Sequence, residues 1–174
     1  MDNRKLLCVY PWQLDSTSDL LGYENPILRP YMPTEQPQLK MVVLSVLEES
    51  GFEYDPNLNF DIDFPEAVYG QGKGCFFVVV DKGVVVGTAA VEDQENRVSR
   101  WRRLTLLPEY RGLGWGLQIQ HFIIDYCREV GFVSARFDTL ARFGMIEKYQ
   151  QVGCYVIKEE VEGENLKVYM GYTF

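Results

Sequence analysis

Arg111-Gly112-Leu113-Gly114-Trp115-Gly116 constrains this chain more than any other stretch. It follows a β-rich run ending at Leu106-Leu107-Pro108 and opens a strongly helical segment. Glycines at 112, 114 and 116 weaken both neighbours unless the backbone there must come close to another group. That group is commonly a phosphate. Glycine lets consecutive N–H groups converge on one concavity, and a helix N-terminus adds partial positive charge. The turn therefore predicts a phosphate-bearing, anionic ligand. A glycine turn serving only close helix–strand packing is the plainer alternative.

The elements around the turn follow from periodicity. Ile27–Arg29 predicts a short strand ending at Pro30. Leu39, Val42, Val43, Val46 and Leu47 recur at helical spacing, in a helix begun near Pro33 or Thr34 and stopped at Gly51. Residues 52–63 read as an acidic loop, and Pro65–Tyr69 as a short helix. Cys75–Val80, a turn at Asp81-Lys82-Gly83 and Val84–Val91 read as a hairpin, and Val98–Leu107 adds a third antiparallel strand. The helix over Gly114–Val130 carries Ile119, Ile123, Cys127 and Val130 on one face, with Gly131 at its end. Val133–Asp138 returns as a strand, and the order strand, helix, strand implies a right-handed parallel crossover. A helix over 142–151 and a hairpin of Tyr155–Glu160 with Leu166–Phe174 complete the chain. Residues 1–26 read as an N-terminal extension that covers a sheet edge or meets a partner subunit in a homodimer. Residues 27–174 read as one domain.

A chain of 174 residues, 47% hydrophobic and 14% aromatic, suffices for one ordered domain. It has no apolar run of membrane-spanning length and no secretory leader pattern, so a cytoplasmic protein without membrane partners is expected. Cys8, Cys75, Cys127 and Cys154 make no metal-ligand spacing, so no metal is expected; His121 is the single histidine. A net charge of −8 argues against nucleic acid as a partner. The charges are segregated. Seven acids and no Lys or Arg occupy 48–66, whereas five arginines and one acid occupy 97–111 and end on the glycine turn. An acidic protein with its positive charge there suits an anionic ligand at that turn.

Other owners of such a turn fit poorly. A P-loop needs Lys-Ser or Lys-Thr after its glycines, and a dinucleotide site needs an alternating parallel unit before them. Arg111, Gly114 and Gly116 stand in the register of the [Q/R]-x-x-G-x-[G/A] hallmark, and Tyr149-Gln150-Gln151-Val152-Gly153-Cys154 matches a Tyr-x-x-x-Gly-Phe segment with Cys for Phe. With the element order from about residue 27 onward, the chain resembles the GNAT superfamily of N-acetyltransferases. The resemblance implies a mixed α/β (α+β) fold: a mostly antiparallel twisted sheet, flanked by helices, with one parallel strand pair splayed at the cofactor site.

It also implies acetyl-CoA as co-substrate. Main-chain groups of Arg111, Gly112, Leu113, Gly114, Trp115 and Gly116 would hold the pyrophosphate. Leu104, Leu106 and Leu107 would flank the pantetheine arm, and a main-chain N–H there would serve the oxyanion. Tyr149 would protonate the departing thiolate; a phenol can, since its ordinary pKa of about 10 lies above a thiol's value of about 8.5. The chain departs from the family where a general base is expected. Many members carry Glu on the fourth strand, where Arg100 stands by register, and Asn seven residues before the tyrosine, where Arg142 stands. Glu92 and Asp138 are the remaining acids close by in topology. Asp61, Asp63 and Glu66 fall where the family builds its acceptor wall and would attract a cationic amine. The acceptor is then a small-molecule amine or a peptide or protein amine. A non-catalytic acyl-CoA-binding or interaction module is the alternative, and a nucleotide-binding domain a weaker third.

Overall fold

A computed structural model describes residues 5–13 and 26–174. Its described residues build one eight-stranded sheet in the order β1-β2-β3-β4-β5-β6-β8-β7. The strands are β1 (Leu7–Cys8), β2 (Ile27–Pro30), β3 (Cys75–Asp81), β4 (Val84–Asp93), β5 (Val98–Leu106), β6 (Ser134–Leu140), β7 (Tyr155–Glu162) and β8 (Asn165–Thr173). The helices are α1 (Gln36–Glu49), α2 (Phe60–Asp63), α3 (Pro65–Tyr69), α4 (Trp115–Val130) and α5 (Ile146–Gln151). The pairs from β2 to β5 are antiparallel, as are β6–β8 and β7–β8. β5 and β6 run parallel, and the two-residue β1 joins β2 in parallel at the far edge.

The sheet separates two cores, because side chains alternate across it. Phe77, Val79, Ala89, Val91 and Trp101 face α4, which answers with Ile119, Phe122, Ile123 and Cys127. Phe76, Val78, Val85 and Ala90 face the opposite way, onto Leu39, Val42 and Val43 of α1, Ile62 of α2 and Tyr69 of α3. Each fully buried side chain of this size contributes roughly 1.5–3 kcal/mol. α1 is tied to β2 by a buried ion pair in which both Arg29 nitrogens reach Glu35, at 3.0 and 2.6 Å.

Two local expectations change. The acidic 52–63 segment is not all loop, since Phe60–Asp63 forms a helical turn, with Asn59 bracing the loop before it through the Asp55 amide at 3.0 Å. The helix expected over 142–151 is divided: a 3-10 turn at Ala141–Phe143 ends at Gly144, whose φ of 65° no helix accepts, and α5 begins at Ile146. The described part of the 1–26 extension lies along the β2 edge, and Tyr10 stacks on Phe122 of α4 at 4.5 Å. Residues 1–4 and 14–25 of that extension lie outside the described residues.

Candidate active site

The parallel ladder between β5 and β6 holds for only three residue pairs, Val98–Ser134, Ser99–Ala135 and Arg100–Arg136. Beyond Arg100 the two strands part, and β6 continues against β8 alone. Two features of β5 turn the gap into a site. The first is a bulge: Ala90 pairs with Arg102 and Thr88 with Thr105, so β5 carries one residue more than β4. Arg103 takes up the excess at φ 54°. A bulge re-aims side chains that strict alternation would send to opposite faces, and Arg102 and Arg103 both reach Asp61 of α2, at 3.8 and 2.5 Å. The second is the direction of the main chain past the bulge. Leu107 N–H donates to Val86 O at 3.0 Å, toward β4, so alternation turns the N–H groups of Leu104 and Leu106 toward the gap.

The glycine turn follows. Gly112 and Gly114 adopt φ values of 75° and 82°, which other residues rarely take, and a side chain at either would meet open space. Both glycines are exposed, so the space beside the turn is open to solvent and positive φ, not packing, is what favours glycine there. Gly114 stands at the N-cap of α4 without a side-chain cap, so the first-turn amides present their N–H groups outward. Trp115 anchors the helix start, fully buried and stacked on Tyr110 at 5.4 Å. These residues fit a pyrophosphate, by open space, uncapped amides and dipole together. Arg111 does not aim its guanidinium into the concavity. Its Nε donates to Leu106 O at 2.9 Å and its two terminal nitrogens grip Glu49 at 2.7 Å each, which holds that carboxyl below its usual range. Its side chain fastens the turn to α1. Arg142, in the 3-10 turn after β6, also reaches the end of α1, donating to Ser50 O at 2.8 Å. Both main-chain groups of Leu107 are engaged, the N–H with Val86 and the carbonyl with Tyr110 N at 3.0 Å.

Tyr149 lies on α5, its ring 4.7 Å from Phe137 of β6, in the core that also receives Leu104 and Leu106 of β5. Phe137 itself stands on β6 just past Arg136, the last residue of that strand paired with β5. Burial, and then neighbouring Cys154, raise its phenol above the ordinary value. Among the described residues its hydroxyl has no hydrogen-bond partner.

On the α1–α3 side the gap opens as a cleft of about 240 Å³ lined by Leu58, Asn59, Arg100, Trp101, Arg102, Arg103 and Asp138. The three acids read as an acceptor wall are placed differently from one another. Asp61 is buried behind the cleft wall: Arg103 holds it through two nitrogens at 2.8 and 2.5 Å, and Tyr69 donates to it. Its carboxyl lies below the ordinary value although burial pushes it up, because the Arg103, Tyr69 and Arg102 contacts outweigh burial. Asp63 accepts from Lys40 and Tyr54. Glu66 lines a separate hollow with Pro30, Tyr31, Tyr69 and Phe76. None of the three presents a free charge to the cleft. Glu92 lies 3.7 Å from Arg102, and Asp138 lies 3.6 Å from Arg100 and 3.8 Å from Lys167. His121 is exposed. Among the described residues no cluster of three His, Cys, Asp or Glu could hold a metal, and no helix is long and apolar enough to cross a membrane.

Sequence reasoning did not single out the Arg103–Asp61 pair. One signal was present: adjacent arginines at 102 and 103, on a strand with one face in the core, cannot both point away from it without a bulge.

Comparison with known proteins agrees with this geometry. The profile of the Acetyltransferase (GNAT) family matches residues 42–154. An uncharacterised N-acetyltransferase of Schizosaccharomyces pombe is 30% identical over 112 residues, covering 63% of this chain and 69% of the relative. The fold is shared with a GNAT-family acetyltransferase of Staphylococcus aureus Mu50, at a TM-score of 0.76 and 18% identity, over 85% of this chain and 98% of that one. It is shared also with an aminoglycoside 6'-N-acetyltransferase solved with coenzyme A, at a TM-score of 0.66 and 12% identity, over 84% and 96%. The splayed strand pair, the glycine turn and the match across 42–154 together make this chain a member of the GNAT family of acetyltransferases.

Proposed function

We propose that this protein transfers an acetyl group from acetyl-CoA to a primary amine by direct attack on the thioester. The observation that carries the reading is the gap between β5 and β6, with an open glycine turn at one end and a polar cleft at the other. Acetyl-CoA, when bound, supplies an activated acetyl carbon and a thiolate leaving group.

The chain's own groups would work as follows. The main chain from Arg111 to Gly116 holds the pyrophosphate, each helix-terminus contact contributing roughly 0.3–1 kcal/mol. The inward N–H groups of Leu104 and Leu106 lie along the pantetheine and stabilise negative charge on the acetyl oxygen. Leu106 and Leu107 contribute apolar side chains, since the main chain of Leu107 is engaged elsewhere. The Tyr149 hydroxyl donates its proton to the departing sulfur. Its raised pKa keeps it protonated over the working range. The attacking amine must be neutral, and an ordinary amine with a pKa of about 8–10 loses its proton more readily to a carboxylate or a water held by one. We assign that role to Asp138, which lines the cleft, or to Glu92, 3.7 Å from the cleft residue Arg102.

A non-catalytic acyl-CoA-binding module is the second reading, favoured by Arg100 standing on β5 in place of an acid. Free-thiol release from acetyl-CoA with a mixed amine panel separates the two, comparing wild type with Tyr149→Phe. Turnover that falls by about 10-fold or more in the variant supports the enzyme. CoA binding with no turnover on any amine supports the module.

A further inference from the structure

We propose that the acceptor is a compact amine bearing its own carboxylate, an amino-acid-type molecule, with the carboxylate on Arg100 and Arg102 and the amine toward Asp138. The proposal rests on the acetyl-transfer reading and adds the class of acceptor.

Three arginines line the cleft, and they are not equivalent. Arg103 is committed to the fold through its two-nitrogen grip on Asp61 and a 3.3 Å contact with Leu58 O. The guanidinium groups of Arg100 and Arg102 make no hydrogen bond among the described residues. Their nearest carboxylates, Asp138 at 3.6 Å, Glu92 at 3.7 Å and Asp61 at 3.8 Å, stand beyond the roughly 2.7–2.9 Å of a charge-assisted hydrogen bond. Their side chains keep 45% and 25% of their exposure. Two guanidinium groups, charged and unbonded, therefore meet at one wall of a concave site. Planar guanidinium matches a carboxylate in two-point geometry, and a ligand carboxylate there gains bonds that the protein's own acids do not make.

The other charges in the cleft refine the class. Asp138, one-third exposed at its side chain, lines the same cleft with no contact to Arg100 or Lys167 shorter than 3.6 Å, and so can receive an ammonium group. A ligand with both signs close together satisfies both walls. A polycation does not, because Arg100 and Arg102 repel it and the acids at 61, 63 and 66 offer no free charge toward it. The volume of about 240 Å³ lies below the roughly 300–1,000 Å³ of drug-sized pockets and suits a small molecule.

The test uses the full chain with standard amino acids, the primary amide of each and its decarboxylated amine, followed by thiol release and by calorimetric binding to the CoA-loaded protein. Variants are Arg100→Gln and Arg102→Gln, with melting curves as a check of folding. The proposal expects the best amino acid to exceed its amide by about 10-fold or more in kcat/KM, a difference carried by KM and collapsing in either variant. Equal or better use of the amide or the decarboxylated amine overturns it, as does discrimination that survives both substitutions. Preference for a phosphate-bearing amine overturns the carboxylate assignment. If no amine is acetylated, the acetyl-transfer reading fails, and calorimetry alone decides the acceptor class. Carboxylate-selective binding lost in the variants then supports it, and unselective binding overturns it.

Discussion

Tyr149 combines a buried ring with a hydroxyl that makes no hydrogen bond among the described residues, and burial holds its proton on. Two consequences follow at the residue scale. Tyr149→Phe keeps the ring packed on Phe137, so stability should change little while kcat falls by about 10-fold or more, measured by initial rates of thiol release. Because the phenol is shifted upward, its ionisation places no falling limb on the pH–rate profile below about pH 10. A descending limb near neutral pH that Tyr149→Phe removes would contradict the assignment. Gly114→Ala probes the turn: a left-handed conformation costs a non-glycine residue about 1–2 kcal/mol, and the new methyl projects into the open concavity. Calorimetric titration should show CoA affinity falling by about 10-fold or more while the protein stays folded. Both residues were legible in the sequence, since each belongs to a short motif with a local geometric reason. The loose pairing of Arg100 and Arg102 was not, because it depends on residues from other strands.

The bulge in β5 is the element on which the site turns. It sends Arg103 to Asp61 and so joins the sheet to α2 through a buried ion pair. Removing one partner of such a pair costs about 3–5 kcal/mol. Asp61→Asn should lower the unfolding free energy from denaturant titration by about that amount, whereas the exposed Glu66→Gln should leave it nearly unchanged. The pH dependence has a definite sign. The Asp61 carboxyl is lowered in the folded protein, so its stabilisation is fully present above its unfolded pKa of about 3.9 and is lost as pH falls below it. Acid unfolding monitored below about pH 4 should therefore be less steep in Asp61→Asn. Sequence pattern made the other elements legible: the apolar, β-rich runs of β3 and β4 on either side of a tight turn, and the apolar stripe of α4, each extend over several residues. The bulge and the break at Gly144 are single-residue events inside periodic runs, and periodicity is blind to those.

In the whole molecule, one sheet separates two cores, and β5 serves both. Its Trp101, Leu104 and Leu106 pack toward α4, while Arg100, Arg102 and Arg103 build the cleft on the α1–α3 side. The strand thus leads into the glycine turn and lines the polar cleft, and Arg111 and Arg142 reach the end of α1 from either side. Element order and the family resemblance made this architecture legible, since each rests on patterns spread along the chain. The partnership of residues 61 with 103 and 49 with 111 was not legible, because like types of acid and arginine occur throughout both segments. The acidic 48–66 stretch read as an attractant for cations; folded, two of its acids are matched by arginines from the basic 97–111 stretch.

The most direct test is mass spectrometry of the products formed from isotopically labelled acetyl-CoA and an amine panel of amino acids, small amines and peptides. The account predicts labelled acetyl on the nitrogen of an acceptor, in stoichiometry with free CoA and strongly reduced in Tyr149→Phe. Tight CoA binding with no labelled acetyl on any amine would contradict it.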